Sequence, residues 1–458
     1  LAMLLGMTRY QWTVLFAAWL GWGFDVFDGL LFNYVAPNAV PTLLGLEIGS
    51  PEARTATLYW TGVLTSVLLL GWAAGGVLFG YICDRIGRTR TLLITMLLYA
   101  LGTAACAFAP NIWVLLVCRI VAALGIGGEW AAGASMVAEV VPEKRRVEAG
   151  ALLYTAAPMG LFLATYVNFG VAGVWMVDSP ETSWRFVFLF GLIPAAVALL
   201  VRLFLKEPER WKQATQNAAP VRLAEIFGPG LRHITFAGVC MSLVALIAWW
   251  SCNAFIPTVA TGLAQDAATA DGLDATATRV LVEEWKFRAT YWFNMGGLVG
   301  TLLTIPVAKI LGRRALFGIY FAASAVAIFA TFGIDWEPTV RLYWYFAIGA
   351  SVFGIFGSFT YYLPELFPTR LRATGAGFCY NIGRVLAAVG PFAVGSIAAQ
   401  GTDTVLQTLF YVGLVPALGL FLLPWVVETR DKVLADCSTG LCGSGFHPTR
   451  VRPRRTRQ

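Results

Sequence analysis

Two carboxylates stand one helical turn apart in the first long apolar stretch of the chain. Asp25 and Asp28 follow Gly23 in the sequence Gly-Phe-Asp-Val-Phe-Asp. Residues three apart on a helix share a face, so the two carboxylates lie close together. Two such groups in a medium of low dielectric constant cannot both ionise cheaply, and one of them therefore holds a proton more readily. We interpret the pair as a proton-coupling site; the alternative is that both groups hydrogen-bond a broken helix.

A guanidinium lies in another apolar stretch. Arg384 is about 16 Å into a stretch that begins near residue 373, and Asn381 is on the same face. A charge in hydrocarbon costs at least about 2.5–3.5 kcal/mol, so such a residue is a candidate for function. The planar fork of arginine suits a carboxylate. We predict that Arg384 anchors an anionic substrate and that Asn381 adds a hydrogen bond. A permanent pair of Arg384 with Asp25 or Asp28 is the alternative.

Two further charged residues share one apolar stretch. Arg119 lies about 12 Å inside its outer end, where it is either a second contact for an anion or a partner of the aspartates. Glu129 lies deeper and is either a second protonatable group or a structural one.

Aromatic residues complete a predicted cavity. Trp249 and Asn253 are four residues apart, so they present a ring and an amide to the same side of a helix. Tyr361 is a further candidate contact for the substrate. Packing or a place at the membrane interface is the alternative for each ring.

The composition tells us which solvent surrounds these residues. Hydrophobic residues make up 58% of the 458 positions, charged residues make up 13%, and the mean hydropathy is +0.69. This exceeds the apolar share of about 45–50% that is typical of soluble domains. The net charge of +7 comes from basic residues in short bursts between apolar runs, which argues against nucleic-acid binding. With two histidines, and cysteines without metal-ligand spacing, we expect no metal site and no cofactor.

Apolar runs of about 20 residues, the length that crosses a bilayer, occur about twelve times. They lie near 10–40, 57–82, 91–109, 111–138, 148–176, 185–205, 234–262, 287–310, 315–333, 341–363, 373–399 and 405–427. Lysines and arginines accumulate in the turns after the even-numbered spans, whereas the predicted loop 263–286 is mainly acidic. By the positive-inside rule, both termini are cytoplasmic in a multi-pass inner-membrane protein.

The two halves of the sequence repeat. Glu139-Val-Val-Pro recurs as Glu365-Leu-Phe-Pro, a shift of 365 − 139 = 226, and Gly87-Arg88 recurs as Gly312-Arg313, a shift of 312 − 87 = 225. The fold class is therefore all-α and membrane-spanning, with twelve helices in two pseudo-symmetric six-helix bundles. We predict bundles at 1–206 and 233–430, a cytoplasmic linker at 207–232 and a basic, disordered tail at 431–458 that touches anionic lipid.

The turn after the second span carries the most specific motif. It reads Gly80-Tyr-Ile-Cys-Asp84-Arg85-Ile-Gly87-Arg88, in which glycines allow a tight turn between closely packed helices. The turn resembles the signature G-x-x-x-D-R-x-G-R-R of the major facilitator superfamily, and Thr89 replaces one basic residue. The resemblance implies the major facilitator fold and a gate at this turn. We assign Glu139, Arg146, Glu365 and Arg372, at cytoplasmic span ends, to the same gate.

The first span narrows the resemblance to one branch of this superfamily. The paired aspartates of the first span resemble those of the aromatic-acid and the lactate/sialate:proton symporters, within a branch that also shares sugar-porter motifs. The resemblance implies a monomeric symporter of a small organic anion and protons that works by alternating access. A sugar or polyol porter, a drug-type exporter and a non-transporting nutrient sensor are alternatives. An enzyme is not expected, because no nucleophile stands with a base or a metal cluster.

Overall fold

The computed structural model describes residues 6–193, 196–197, 200, 222–368, 371–398 and 402–430. Long helices make up nearly all of this part of the chain. The first six are α1 (Arg9–Leu44), α2 (Pro51–Ile86), α3 (Arg88–Ala107), α4 (Ile112–Val140), α5 (Glu143–Trp175) and α6 (Pro180–Phe190). The next six are α7 (Arg232–Ala270), α8 (Ala275–Ile310), α9 (Arg313–Gly333), α10 (Pro338–Leu366), α11 (Arg372–Ala387, continued by Val389–Ala398) and α12 (Thr402–Val412, continued by Leu414–Gly419 and Leu420–Trp425).

Eleven helices in the described ranges are long and apolar enough to cross a membrane. Helix α6 occupies the start of the remaining predicted span, part of which lies outside the described residues. We use the term inner face for the side that holds the start of α1 and the end of α2, which the loop charges predict to be cytoplasmic. Most of the predicted linker and the whole predicted tail also lie outside the described residues.

The prediction of a long loop at 263–286 is wrong. Helix α7 continues to Ala270, and α8 begins at Ala275 after Asp274, whose side chain accepts a hydrogen bond from the Ala277 backbone N–H. Alanine, threonine and glutamate in this stretch are compatible with a helix, and the hydropathy pattern marks only where hydrocarbon ends. Consequently Glu283 and Lys286 lie on a helix and are buried.

Helices α2 and α4 pack closely against each other through glycine residues. A Cβ atom at Gly127 would lie 2.0 Å from the Trp72 carbonyl oxygen, and one at Gly75 would lie 2.1 Å from the Leu124 carbonyl oxygen. Only glycine fits at such distances, because any side chain would push the two backbones apart. The same packing fixes the position of Trp72, which the candidate site uses.

The sequence repeat reappears as a repeat of contacts. Arg88 donates to Glu139 at 3.1 Å in the first half, and Arg313 donates to Glu365 at 3.0 Å in the second half. Each arginine also donates to a carbonyl five residues earlier in the chain, at 3.2 Å in both cases. The preceding residues, Gly87 and Gly312, have φ angles of 107° and 89°, which favour glycine. The two halves are therefore built on one plan.

The two halves touch on both sides of the membrane centre. At the inner face, Lys309 of α8 donates to Glu148 of α5. Toward the outer face, the Ser66 hydroxyl of α2 donates to the Ala388 carbonyl of α11 at 2.7 Å, and Asn168 of α5 donates to Glu283 of α8 at 3.4 Å. Contacts on both sides therefore enclose the space between the bundles.

Candidate functional site

Arg384 lies between the two halves and is buried, with 2% of its surface exposed. Its guanidinium carbon is 4.3 Å from the centre of the Trp72 ring and 4.4 Å from the centre of the Tyr380 ring. Trp72 belongs to α2 of the first half, and Tyr380 lies one turn before Arg384 on α11. The cation is thus held between an aromatic face from each half, an arrangement that stabilises it electrostatically.

Asn381 sets the orientation of this guanidinium. Its side-chain oxygen accepts a hydrogen bond of 2.7 Å from Arg384, and its side-chain nitrogen donates to the Gly377 carbonyl at 2.8 Å. The amide packs on Gly76 of α2, where a Cβ atom would lie only 2.2 Å from it. In the described part of the chain, no carboxylate forms an ion pair with Arg384. The alternative of a permanent pair with Asp25 or Asp28 therefore finds no contact to support it.

A connected set of aromatic side chains from both halves extends from the two rings that hold this guanidinium, and we call this set the aromatic box. Trp72 contacts Trp22 and Trp250 with centroid distances of 6.3 and 5.8 Å. Trp249 contacts Trp250 at 4.7 Å and Phe353 at 5.4 Å. The members of the box are Trp22, Trp72, Tyr154, Trp249, Trp250, Phe353, Phe356 and Tyr380.

Several hydrogen-bond donors in the box lack an acceptor among the described residues. They are the indole N–H groups of Trp22, Trp72 and Trp249 and the Nε–H of Arg384, all buried. A buried donor without an acceptor is unfavourable by about 1–3 kcal/mol, and such groups in a native protein call for an explanation. A ligand with oxygen acceptors and a flat apolar body matches both the free donors and the rings.

The paired aspartates lie inside the first half and not at its surface. Asp25 and Asp28 are 0% and 1% exposed. The Thr103 hydroxyl donates to the Asp28 carboxylate, and Arg119 donates to the backbone carbonyls of Asp28 and Gly29. Arg119 therefore lies beside the aspartates but donates to backbone carbonyls, and both alternatives for its role stay predictions.

Glu129 is buried on the inner side of the box. It lines a cavity of about 10 Å³ together with Trp22 of the box and Thr360 of α10. This volume is close to the minimum that accommodates one water molecule. Glu129 thus lies where the two halves meet, between the box and the inner face.

Among the predicted substrate contacts, Tyr361 lies apart from Arg384, whereas Asn253 lies one turn beyond a member of the box. Tyr361 packs against Gly150 of α5, and its ring lies 5.6 Å from the Arg313 guanidinium, which places it in the inner contact between the halves. Asn253 is 8% exposed and follows Trp249 by one turn. The sequence did not mark four members of the box as site residues, namely Trp22, Trp72, Tyr154 and Tyr380. The spacing of four residues between Tyr380 and Arg384 was the one local signal available.

Several contacts of the predicted gate residues lie within their own halves. Besides the pairs Arg88–Glu139 and Arg313–Glu365, Arg146 lies 3.6 Å from Glu143. Arg372 donates to the Pro364 carbonyl and Arg85 donates to the Tyr81 hydroxyl. The side chain of Asp84 lies outside the described residues. Glu148 and Lys309 form an ion pair between the halves at the inner face, and neither residue was among the predicted gates.

Gly80 contradicts our explanation of the motif glycines. Gly87 adopts a positive φ angle as expected, but a Cβ atom at Gly80 would have no neighbour within 4 Å. Close packing of helices therefore does not require glycine at this position.

Comparisons with known proteins agree with this architecture. Residues 12–391 match the model of the Major Facilitator Superfamily. The chain is 28% identical to a probable 4-methylmuconolactone transporter of Cupriavidus pinatubonensis, over 89% of this chain and 86% of that protein. It is also 28% identical to a cis,cis-muconate transport protein of Acinetobacter baylyi, over 82% and 89%. The crystal structure of a D-xylose–proton symporter superposes with a TM-score of 0.69 at 20% identity, over 93% of this chain and 100% of that one.

Proposed function

We propose, from the premise that this chain belongs to the major facilitator superfamily, that it is a proton-coupled symporter of a small organic anion with a flat, unsaturated or aromatic body. Proteins of this superfamily are membrane transporters and not enzymes, and this chain is one of them. The relatives named above are a probable 4-methylmuconolactone transporter and a cis,cis-muconate transport protein, and muconate is an unsaturated organic acid. The alternation between outward-open and inward-open states would expose the aromatic box to each side in turn.

One observation carries the proposal. Arg384 is buried between two aromatic rings, has no carboxylate partner among the described residues, and keeps its Nε–H without an acceptor. An anion that enters the box supplies the missing charge and acceptors, and its carbon skeleton packs against the rings. A sugar would satisfy the donors but would leave the guanidinium without a counter-charge.

Proton coupling is proposed for the aspartates of α1. Uptake of an anion against a negative interior requires at least one accompanying proton for neutrality. Asp28 is buried next to Arg119, whose donors are directed at backbone carbonyls and not at the carboxylate. The carboxylate is thus available to take up and release a proton as its surroundings change. Asp25 shares its face, and Glu129 lies on the route to the inner face.

Counterflow uptake into proteoliposomes tests the substrate class. Labelled muconate, benzoates, lactate, sialate and hexoses are offered to the purified protein, with and without an inward proton gradient. We expect exchange of the unsaturated acids and their accumulation only under the gradient. Exchange of hexoses without any acid would disprove the proposal.

A substitution then tests the anchor. Arg384→Lys removes the planar fork, and we expect the KM for the acid to rise about 10- to 100-fold, as for the loss of one hydrogen bond to a charged group. Arg341→Lys is the matched control, because Arg341 is also buried in the second half but donates to the Ile334 carbonyl. Unchanged uptake by Arg384→Lys would remove Arg384 from the site.

A further inference from the structure

A groove lies between α2 and α11 near the inner face, outside the aromatic box. It has a volume of about 430 Å³, within the range of about 300–1,000 Å³ of small-molecule pockets. Its walls come from α2, from α11 and from the short 3₁₀ helix Leu223–Phe227 that precedes α7. One wall therefore belongs to each half of the protein.

Gly80 lies on the wall that α2 contributes. Since a Cβ atom at Gly80 would meet nothing within 4 Å, the glycine leaves the groove open and serves no contact between helices. Gly80 precedes the end of α2 by six residues, and Phe378 on the opposite wall follows the start of α11 by six residues. Both positions are about 9 Å along their helices from the inner ends, a distance greater than the thickness of one headgroup layer, which is about 5–8 Å.

The lining of the groove is mainly apolar, and part of it is exposed at the surface of the protein. Leu78 is 51% exposed and Leu223 is 38% exposed, and both contribute to the walls. A water-soluble ligand would gain little from such a lining, whereas a hydrocarbon chain gains from every methylene that it buries.

Positive charge stands at the rim of the groove. Arg222 lines it directly, at the start of the 3₁₀ helix. Tyr81 also lines it, and the Arg85 guanidinium lies 4.2 Å from the centre of the Tyr81 ring and donates to its hydroxyl. Two guanidinium groups beside an apolar groove are complementary to a molecule with an anionic head and a hydrocarbon tail.

We propose that one acyl chain of an acidic phospholipid occupies this groove, with its phosphate at Arg222 and Arg85. The lipid then bridges the two halves at α2 and α11. It lies next to Gly76, which packs on Asn381, the residue that orients Arg384. Bound lipid is thereby placed to influence the movement of the two halves at the inner face.

The test counts bound lipid and does not depend on any transport activity. The full-length protein is purified in mild detergent and exchanged into nanodiscs of phosphatidylglycerol or phosphatidylcholine. Native mass spectrometry then counts the lipids that stay bound to the protein after it is released from the nanodisc. We expect one phosphatidylglycerol to stay bound to the wild type, and phosphatidylcholine to bind more weakly. Gly80→Leu, which fills the groove, should lose the bound lipid. Arg222→Gln should bind phosphatidylglycerol about fivefold more weakly, as for one basic residue near an anionic surface.

Gly170→Leu is the matched control, because a Cβ atom at Gly170, near the outer end of α5, also has no neighbour within 4 Å. It should retain the lipid. Elution as a single species in size-exclusion chromatography shows that each variant is folded. Equal retention by wild type and Gly80→Leu, or equal binding of both lipids, would overturn the proposal. A loss of acid exchange by Gly80→Leu without a loss of bound lipid would instead make the groove part of the substrate route.

Discussion

At the scale of single residues, two kinds of buried arginine can be compared. Arg88 and Arg313 are neutralised by carboxylates of their own halves. Arg384 is held by rings and an amide without such a carboxylate in the described part of the chain. Because a buried charge is unfavourable without a partner, the first kind is compensated within the protein, and we propose that a bound anion compensates the second. Burial by itself does not distinguish a functional charge from a structural one.

The carboxylate of Asp28 gives the first prediction. Asp28→Asn keeps the shape of the side chain but cannot release a proton, so we expect exchange of substrate to continue while accumulation under a proton gradient is lost. The measurement is uptake into proteoliposomes in the exchange mode and in the gradient-driven mode. Thr103→Val is the control, because it removes the hydroxyl that donates to Asp28 and leaves the carboxylate in place. Accumulation by Asp28→Asn at the wild-type level would refute the assignment.

At the scale of helices, α5 and α8 join the two halves at both of their ends. The inner end has the ion pair Glu148–Lys309, and the outer end has the bond from Asn168 to Glu283, which Lys286 also contacts at 2.7 Å. A movement that opens one side must break the contact at that end. The helix pair α5–α8 is therefore a place where single substitutions should alter the balance between states.

Lys309→Met provides the second prediction. It removes the inner ion pair, and we expect the inward-open population to rise by up to about fivefold, because partly exposed pairs contribute about 1 kcal/mol or less. The measurement is the distance between spin labels at Arg90 and Leu311, both exposed at the inner face. Arg145→Met is a matched control, because Arg145 bonds the same carboxylate of Glu148 at 3.1 Å but from within the first half. Equal shifts by both variants would contradict a gating role of the pair.

The carboxylate of Glu428, which lies outside the membrane spans, stabilises the start of α9. Burial alone would raise the pKa of the Glu428 carboxyl, but backbone N–H groups of Arg313, Arg314 and Arg430 donate to it and hold this pKa below its ordinary value of 4.5. These bonds measure 3.0, 3.1 and 3.0 Å. A lowered pKa in the folded state means that the stabilisation is complete above pH 4.5 and disappears as the pH falls through the folded-state value.

Glu428→Gln gives the third prediction. At pH 7 we expect its unfolding temperature to be lower than that of the wild type by about 2 °C, as for the loss of one helix cap. The difference should shrink as the pH falls below 4.5, because the wild-type carboxyl then also becomes neutral. Thermal unfolding followed by intrinsic tryptophan fluorescence at several pH values measures it. A difference that grows toward low pH would show that the sign is wrong.

At the scale of the whole molecule, the duplication predicts equivalent behaviour of its two halves. Glu139 and Glu365 occupy corresponding places, and the side chains of both pairs are at least 94% buried. Removal of one partner from a buried ion pair costs about 3–5 kcal/mol, because the other charge remains without compensation. The two pairs should therefore contribute similarly to stability.

The fourth prediction compares Glu139→Gln with Glu365→Gln. We expect both variants to unfold at clearly lower temperatures than the wild type, with shifts of similar size. Thr429 also donates to Glu365 at 2.6 Å. The shift in unfolding temperature should therefore be slightly larger for Glu365→Gln than for Glu139→Gln. Thermal unfolding of the purified variants in one detergent provides the comparison. A stable variant with altered spin-label distances would instead favour the gate that the sequence predicted for these residues.

Much of this architecture could be predicted from the sequence because it depends on local or additive properties. Long apolar runs fix the positions of the spans, and the recurrence of Gly87-Arg88 at Gly312-Arg313 reveals the duplication. The charges at Asp25, Asp28 and Arg384 stand out because hydrocarbon penalises them wherever the helices pack. The hydropathy pattern gave a wrong prediction of a loop at 263–286, because two helices extend there beyond the apolar stretches.

Tertiary structure alone decided which of these residues meet. Trp72 stacks on Arg384 only because α2 of one half lies against α11 of the other. Lys309 donates to Glu148, which is 161 positions away in the sequence. The repeat gives no sign of this contact, because the position of Lys309 corresponds to Asp84 in the first half. Contacts between halves depend on how whole helices are inclined and spaced, and no local pattern encodes that geometry. The sequence therefore determined which side chains are costly in a membrane, and the packing of the two bundles determined how each is compensated.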